Sequence, residues 1–269
     1  MPCITINGAR LYYELSGSGE RTLLFLHGNT ASSRMFRPVL PLYEDQFRTL
    51  LIDLPGHGKS GRLPAFPYDL WYEQSVQAAA LLDRLGLDGL HVLGTSGGAL
   101  VAINLAMERP DLVRRVIADS FEGERALDAV AESIEEDRER SKADPSARAF
   151  WEDCHGNDWE SVVDNDTRAM LAHHSTIGNF VHHDVSALTM PVLLTASLED
   201  EFSDITRFAE LYAGLLYRMP QGNLQLIPTG GQPGVCSNGR PFSDGAAQLF
   251  RQYLFFTTLF FSCACASAT

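Results

Sequence analysis

The chain has 269 residues, 45% of them hydrophobic, and a formal net charge of −13. That is enough apolar sequence for one domain-sized core, and the acidic balance argues against a nucleic-acid phosphate backbone as partner. Five cysteines (Cys3, Cys154, Cys236, Cys263, Cys265) form an odd, scattered set, read as free thiols rather than a disulfide framework or zinc site.

Met1 to Leu11 carries neither a basic start nor a long apolar run, so a cytoplasmic location is expected. Ile4-Thr5-Ile6 and Leu11-Tyr12-Tyr13 alternate around Asn7-Gly8, which predicts a β-hairpin. Apolar strands are then predicted at Thr22–Leu26, Thr49–Asp53, Leu90–Leu93, Val113–Asp119, Pro191–Ser197 and Leu224–Pro228. Helix-patterned segments such as Tyr72–Leu85 and Ala99–Arg109 separate most of them. Strand and helix alternating in this way predict an α/β fold with a mostly parallel, doubly covered sheet, whose ligands gather at the carboxyl ends of the strands.

Between residues 120 and 190 the pattern changes. Charged helix-like sequence from Ala126 to Lys142 gives way to aromatic-rich sequence around Phe150, Trp151, Trp159 and Phe180. This stretch is too long for a bare connection and must carry structure of its own.

Chemistry is concentrated at four strand ends. Gly94-Thr95-Ser96-Gly97-Gly98 joins an apolar strand to a helix pattern, the setting in which a strained turn exposes a serine nucleophile. Two earlier strands end in His27-Gly28-Asn29-Thr30 and in Asp53-Leu54-Pro55-Gly56-His57-Gly58-Lys59-Ser60. An acidic turn, Leu198-Glu199-Asp200-Glu201, follows the buried run at Pro191–Ser197. In their order these motifs resemble the α/β-hydrolase family, from roughly Ile4 to Phe250. The resemblance implies acyl transfer, with Ser96 attacking, Asp200 as the acid (Glu199 or Glu201 as alternatives), and the backbone N–H groups of Asn29 and Gly97 as oxyanion hole. It implies that His27 orders its loop, and it calls for no cofactor or metal. It makes residues 1–119 and 191–253 the hydrolase core and residues 120–190 a helical cap inserted after the sixth strand.

One position departs from the family. Where the pattern has a histidine, this chain reads Gly230-Gly231-Gln232-Pro233, followed by Ser237-Asn238. An amide has no useful basicity near neutral pH and cannot shuttle the serine proton. Three explanations stand: a single substitution in a competent hydrolase, a lineage turned binder, or a substitute histidine among His155, His173, His174, His182 and His183. The expected function is hydrolysis of a small ester, lactone or thioester, impaired by Gln232. The alternative is a silent small-molecule binder on the same fold. A serine at the elbow argues against the haloalkane dehalogenase and epoxide hydrolase branches, which use aspartate there.

Two motifs are set aside. Gly56 to Gly61 spells both a dinucleotide fingerprint and the end of a phosphate loop, but Asp53 stands where the latter needs glycine and Pro64 and Pro67 interrupt any following helix. The paired histidines lack the facing spacing of metal ligands. After a helix pattern at Ala246–Tyr253, residues 254–269 form an atypical apolar tail too short to span a bilayer, read either as a buried terminal helix or as the product of an altered frame.

Overall fold

The computed structural model describes residues 2–200, 205–229 and 234–237, apart from the side chains of 205–209, 235 and 237. Gln232, Glu201, Asn238 and the apolar tail lie outside the described residues.

Eight strands form one sheet in the order β1-β2-β4-β3-β5-β6-β7-β8. β1 (Cys3–Ile6) and β2 (Ala9–Ser16) make the expected hairpin. Asn7 and Gly8 both have positive φ, 48° and 82°, which is the backbone of a turn whose twist matches its strands. β2 runs longer than its sequence pattern, because its second half pairs antiparallel with β4 (Phe47–Asp53). β3 (Arg21–Leu26), β4, β5 (Leu90–Thr95), β6 (Val113–Asp119), β7 (Val192–Ser197) and β8 (Gly222–Ile227) are parallel throughout. The mostly parallel, doubly covered sheet expected from the sequence is therefore the fold.

Alternation along the central strands splits the core in two. Leu24, Leu26, Val92, Val116 and Leu194 face α1 (Leu70–Leu85), α2 (Gly97–Glu108) and Tyr212 and Leu215 of α6 (Ile205–Arg218). Their neighbours Leu23, Phe25, Leu93, Ile117 and Leu193 face the other way, onto Phe36, Val39 and Tyr43. A strand buried on both faces reads as a continuous apolar run, which is why these strands were legible without alternation.

The stretch between β6 and β7 folds as three helices: α3 (Asp128–Ala143), α4 (Pro145–His155) and α5 (Trp159–Thr176). Asp144 starts α4 by accepting the N–H groups of Ser146 and Ala147, with Pro145 at the first helical position. The two ends of the insertion are tied together, Ala126 N–H to Gly178 O at 2.9 Å and Phe180 N–H to Glu124 O at 2.8 Å. No helix among the described residues is long and apolar enough to cross a membrane.

α2 crosses β3 so closely that a Cβ on Gly98 would collide with the carbonyl oxygens of Leu26 and His27. Gly98→Ala should therefore cost roughly 3 kcal/mol or more, since only backbone movement relieves it. Gly214, exposed within α6, has nothing within 4 Å of such a Cβ, and Gly214→Ala should add roughly 0.5–1 kcal/mol. Urea unfolding of both variants checks the opposite signs.

Candidate active site

At the junction of β5 and α2 the chain reverses through Ser96, whose φ of 52° and ψ of −125° lie far from ordinary backbone for a residue with a Cβ. Ser96 is half-buried within a run from Leu90 to Ala106 that is otherwise buried. The turn after β3 lies against it, since a Cβ on Gly28 would sit 3.1 Å from that of Ser96. Gly97 opens α2, where the N–H has no intrahelical acceptor, and a Cβ there would strike the Asn29 side chain and the Trp71 indole. The structure thus brings Ser96, Gly97 and Asn29 together at the carboxyl edge of the sheet.

His27 is spent on its loop. Its Nε2 accepts from Leu54 N–H at 3.0 Å and its Nδ1 donates to Gly28 O at 2.8 Å, which fixes one neutral tautomer. Burial lowers its pKa, against the pull of Asp53. The Gly56–Gly61 segment is equally closed. Asp53 accepts from the N–H groups of Ser33 at 2.8 Å and Lys59 at 2.7 Å. The N–H groups of Gly58, Ser60 and Gly61 bond to His155 Nδ1, His57 O and Arg10 O. A loop whose donors are filled in this way cradles no phosphate.

Of the two described acids on the turn after β7, Asp200 is buried and Glu199 is exposed. None of the five histidines weighed as a substitute base has Ser96 as its hydrogen-bond partner. His155 donates through Nε2 to Thr30 O, and His173 bonds Tyr68 O. His174 meets Asp128, His182 meets Asp69 while stacked on Tyr72, and His183 meets Glu108. Among the described residues no group of three His, Cys, Asp or Glu is arranged to hold a metal ion. Cys3, Cys154 and Cys236 are free.

Several residues that sequence reasoning passed over hold this site. Asp119, fully buried at the end of β6, accepts the hydroxyls of Thr95 at 3.0 Å and Thr195 at 2.7 Å. Its carbonyl accepts Ser96 N–H at 2.8 Å, and a Cβ on Gly234 would lie 2.8 Å from its carboxylate. Asp119 therefore ties the elbow to β7 and lies against Gly234, the first residue of the short helix Gly234–Ser237. An acidic residue closing an apolar strand was the available signal. Trp71, on α1, donates to Asn29 Oδ1 at 3.0 Å and packs edge-on against Phe180. Beyond it lies a narrow cleft lined by Trp71, Phe180, Met170, Val130, Ala131 and Ile134, with Glu122 on its wall. Val130, Ala131 and Ile134 are the apolar stripe of an otherwise charged α3.

The alpha/beta hydrolase fold family, by its sequence profile, matches residues 21–151. An uncharacterized hydrolase of Bacillus subtilis, YugF, is 29% identical over 114 residues, 42% of this chain and 41% of that protein. A pimeloyl-[acyl-carrier protein] methyl ester esterase of Edwardsiella ictaluri is 36% identical over 107 residues, 40% of this chain and 39% of that one. The aligned part thus spans about two fifths of these relatives. The structure of a probable hydrolytic enzyme of Pseudomonas aeruginosa PAO1 superposes with a TM-score of 0.72 at 20% identity, covering 93% of both chains.

Burial lowers the pKa of His27, His57 and His173, takes His155 to about 4 and His91 to about 3. Such groups are neutral when folded but take up protons when unfolded, so their contribution is intact above the ordinary histidine pKa and is lost as pH falls below it. Asp166, raised to about 6 by burial, acts in the opposite sense but is one group against five. The melting temperature should hold from pH 8 to about 6.5 and fall steadily toward pH 4, with a shallower slope in His155→Gln; a flat profile would contradict the assignment.

Proposed function

The chain is an α/β-hydrolase-fold protein, and from that premise we propose that it is built as a serine hydrolase for small esters, lactones or thioesters, with turnover limited by Gln232. Ser96 is the nucleophile, the N–H groups of Gly97 and Asn29 form the oxyanion hole, and Asp200 is the acid. The observation that carries the reading is the backbone of Ser96: a serine held at positive φ, half-exposed in a buried run, with the Gly28-Asn29 turn against it. Strain of this kind costs about 1–3 kcal/mol and persists where surrounding structure imposes it. The esterase relative, though matched over only part of its length, supports the same chemistry.

In the acyl-transfer step the serine oxygen attacks the carbonyl carbon while its proton passes to a base, and the carbonyl oxygen gains negative charge between the two N–H donors. This chain supplies the attacking oxygen, the donors and the acid. Gln232 stands in sequence where the base belongs. The three-helix insertion serves as the cap, and the apolar cleft beside Trp71 takes the acyl or alcohol group. Its apolar lining favours hydrocarbon substituents, and Glu122 on the wall disfavours anionic ones.

A second reading rests on Gln232 itself: a small-molecule binder that keeps the pocket without turnover. The two separate cleanly. Because triad members act as a unit, Gln232→His should raise hydrolysis of an activated short-chain ester by at least about 10³-fold, and Ser96→Ala in the restored chain should abolish the gain. No gain on restoration, together with thermal stabilisation by the intact ester, would establish the binder. In the restored chain, Ala131→Phe should fill the cleft and raise KM for butyrate over acetate esters; unchanged chain-length preference would place the substrate elsewhere.

A further inference from the structure

The turn that carries the second oxyanion donor is not held by the core alone. Thr30 has φ of 55°, a left-handed backbone that β-branched residues rarely adopt. Two helices of the insertion bond to it. Arg138 on α3 reaches its hydroxyl at 3.3 Å, and on α4 the Trp151 indole reaches the same hydroxyl at 3.1 Å while His155 bonds its carbonyl at 2.9 Å. The third helix, α5, contributes Asp166, whose side chain is wholly buried.

Asp166 is the partner of the arginine that reaches Thr30. Arg138 Nη2 lies 3.2 Å from Oδ2, and Oδ1 has no hydrogen-bond partner among the described residues. The Asn29 amide oxygen accepts the Trp71 indole N–H, which holds that side chain to α1 and against Gly97. A buried carboxylate with an unfilled oxygen is an expensive feature, and desolvation raises its pKa to about 6. Arg138 is the charged group beside it. Core packing alone gives no reason for a carboxylate here.

We propose that Asp166 and Arg138 are positioning residues for the oxyanion hole: the buried carboxylate holds the Arg138 guanidinium on the Thr30 hydroxyl, and the pair fixes the strained Thr30 and so aims the neighbouring Asn29 backbone N–H at the reacting carbonyl from outside the core. The proposal rests on the serine-hydrolase reading above for its catalytic consequence, but its structural content stands apart. The insertion then does more than cover the cleft. It completes the catalytic backbone, and the α/β core without it would hold Ser96 but not a preorganised donor.

Three variants of the full chain test this. In ¹⁵N-labelled protein carrying Gln232, the amide resonances of Asn29 and Thr30 should shift in Asp166→Leu and Arg138→Met, and stay in place in Asp166→Asn, which keeps an acceptor for Arg138. In the Gln232→His background, Asp166→Leu and Arg138→Met should lower kcat about 100-fold, the size of effect that a displaced catalytic group produces, with KM little changed. Asp166→Asn should recover most of that loss. A folded Asp166→Leu with parental amide resonances and kcat, or with a loss confined to KM, overturns the proposal. If Asp166→Leu does not fold, Arg138→Met, whose side chain is partly solvated, decides by the same readouts. If Gln232→His shows no Ser96-dependent turnover, the hydrolase reading fails, while the resonances still decide whether Asp166 and Arg138 position the turn.

Discussion

The close crossing of α2 over β3 and β5 is the constraint on which the site depends. With glycine at 94 and 98, the helix backbone lies directly on strand backbone, and the chain between them can only pass through a residue of positive φ. Ser96 occupies that position, which lifts its side chain off the sheet edge while its neighbours stay buried. The same crossing brings the first turn of α2 against the Gly28-Asn29 turn. The proposed nucleophile and donors are thus set by one packing event rather than by separate ones.

Around that crossing the structure spends buried polar groups with unusual freedom. Asp119 fastens the elbow to β7, Asp53 gathers the loop after β4, His27 and His155 bind backbone on the two sides of the Asn29-Thr30 turn, and Asp166 meets Arg138 beneath it. Each group desolvated in this way is costly unless partnered, and most are partnered by backbone N–H or C=O of loops that would otherwise be free to move. Buried polar networks that are nearly satisfied rigidify what they touch. Here they touch the loops at the carboxyl edge of the sheet, where an acyl-transfer site needs fixed dipoles.

The contrast between Asp200 and Asp119 shows where residue-level reading stopped. Asp200 was visible as an acid just past a buried strand, and its burial beside an exposed Glu199 agrees with an inward role. Asp119 closes a strand of the same kind, yet its role depends on Thr95 and Thr195, one from each neighbouring strand, 24 and 76 residues away. In the sequence His173 is one of five candidates for a substitute base. It is buried, packed between Trp71 and Phe180, because α5 folds back over α1.

What the sequence by itself determined follows from local chemistry. Apolar runs bounded by turn residues gave the strands, Asn7-Gly8 gave the hairpin, and small residues at 94, 97 and 98 marked the strained turn, because backbone sterics and strand burial are written within a few residues. The expectation that Gln232 leaves the serine without a base is equally a matter of one side chain's chemistry. The tertiary structure alone decided that Trp71 bonds Asn29, that α3 turns its apolar stripe onto a cleft, and that Thr30 is held from two insertion helices. Those hydrogen bonds join residues 42 to 121 positions apart, and no periodicity or motif encodes which distant helix will arrive at a given turn; that is settled only when the insertion packs against the sheet edge and buried polar groups take the partners within reach.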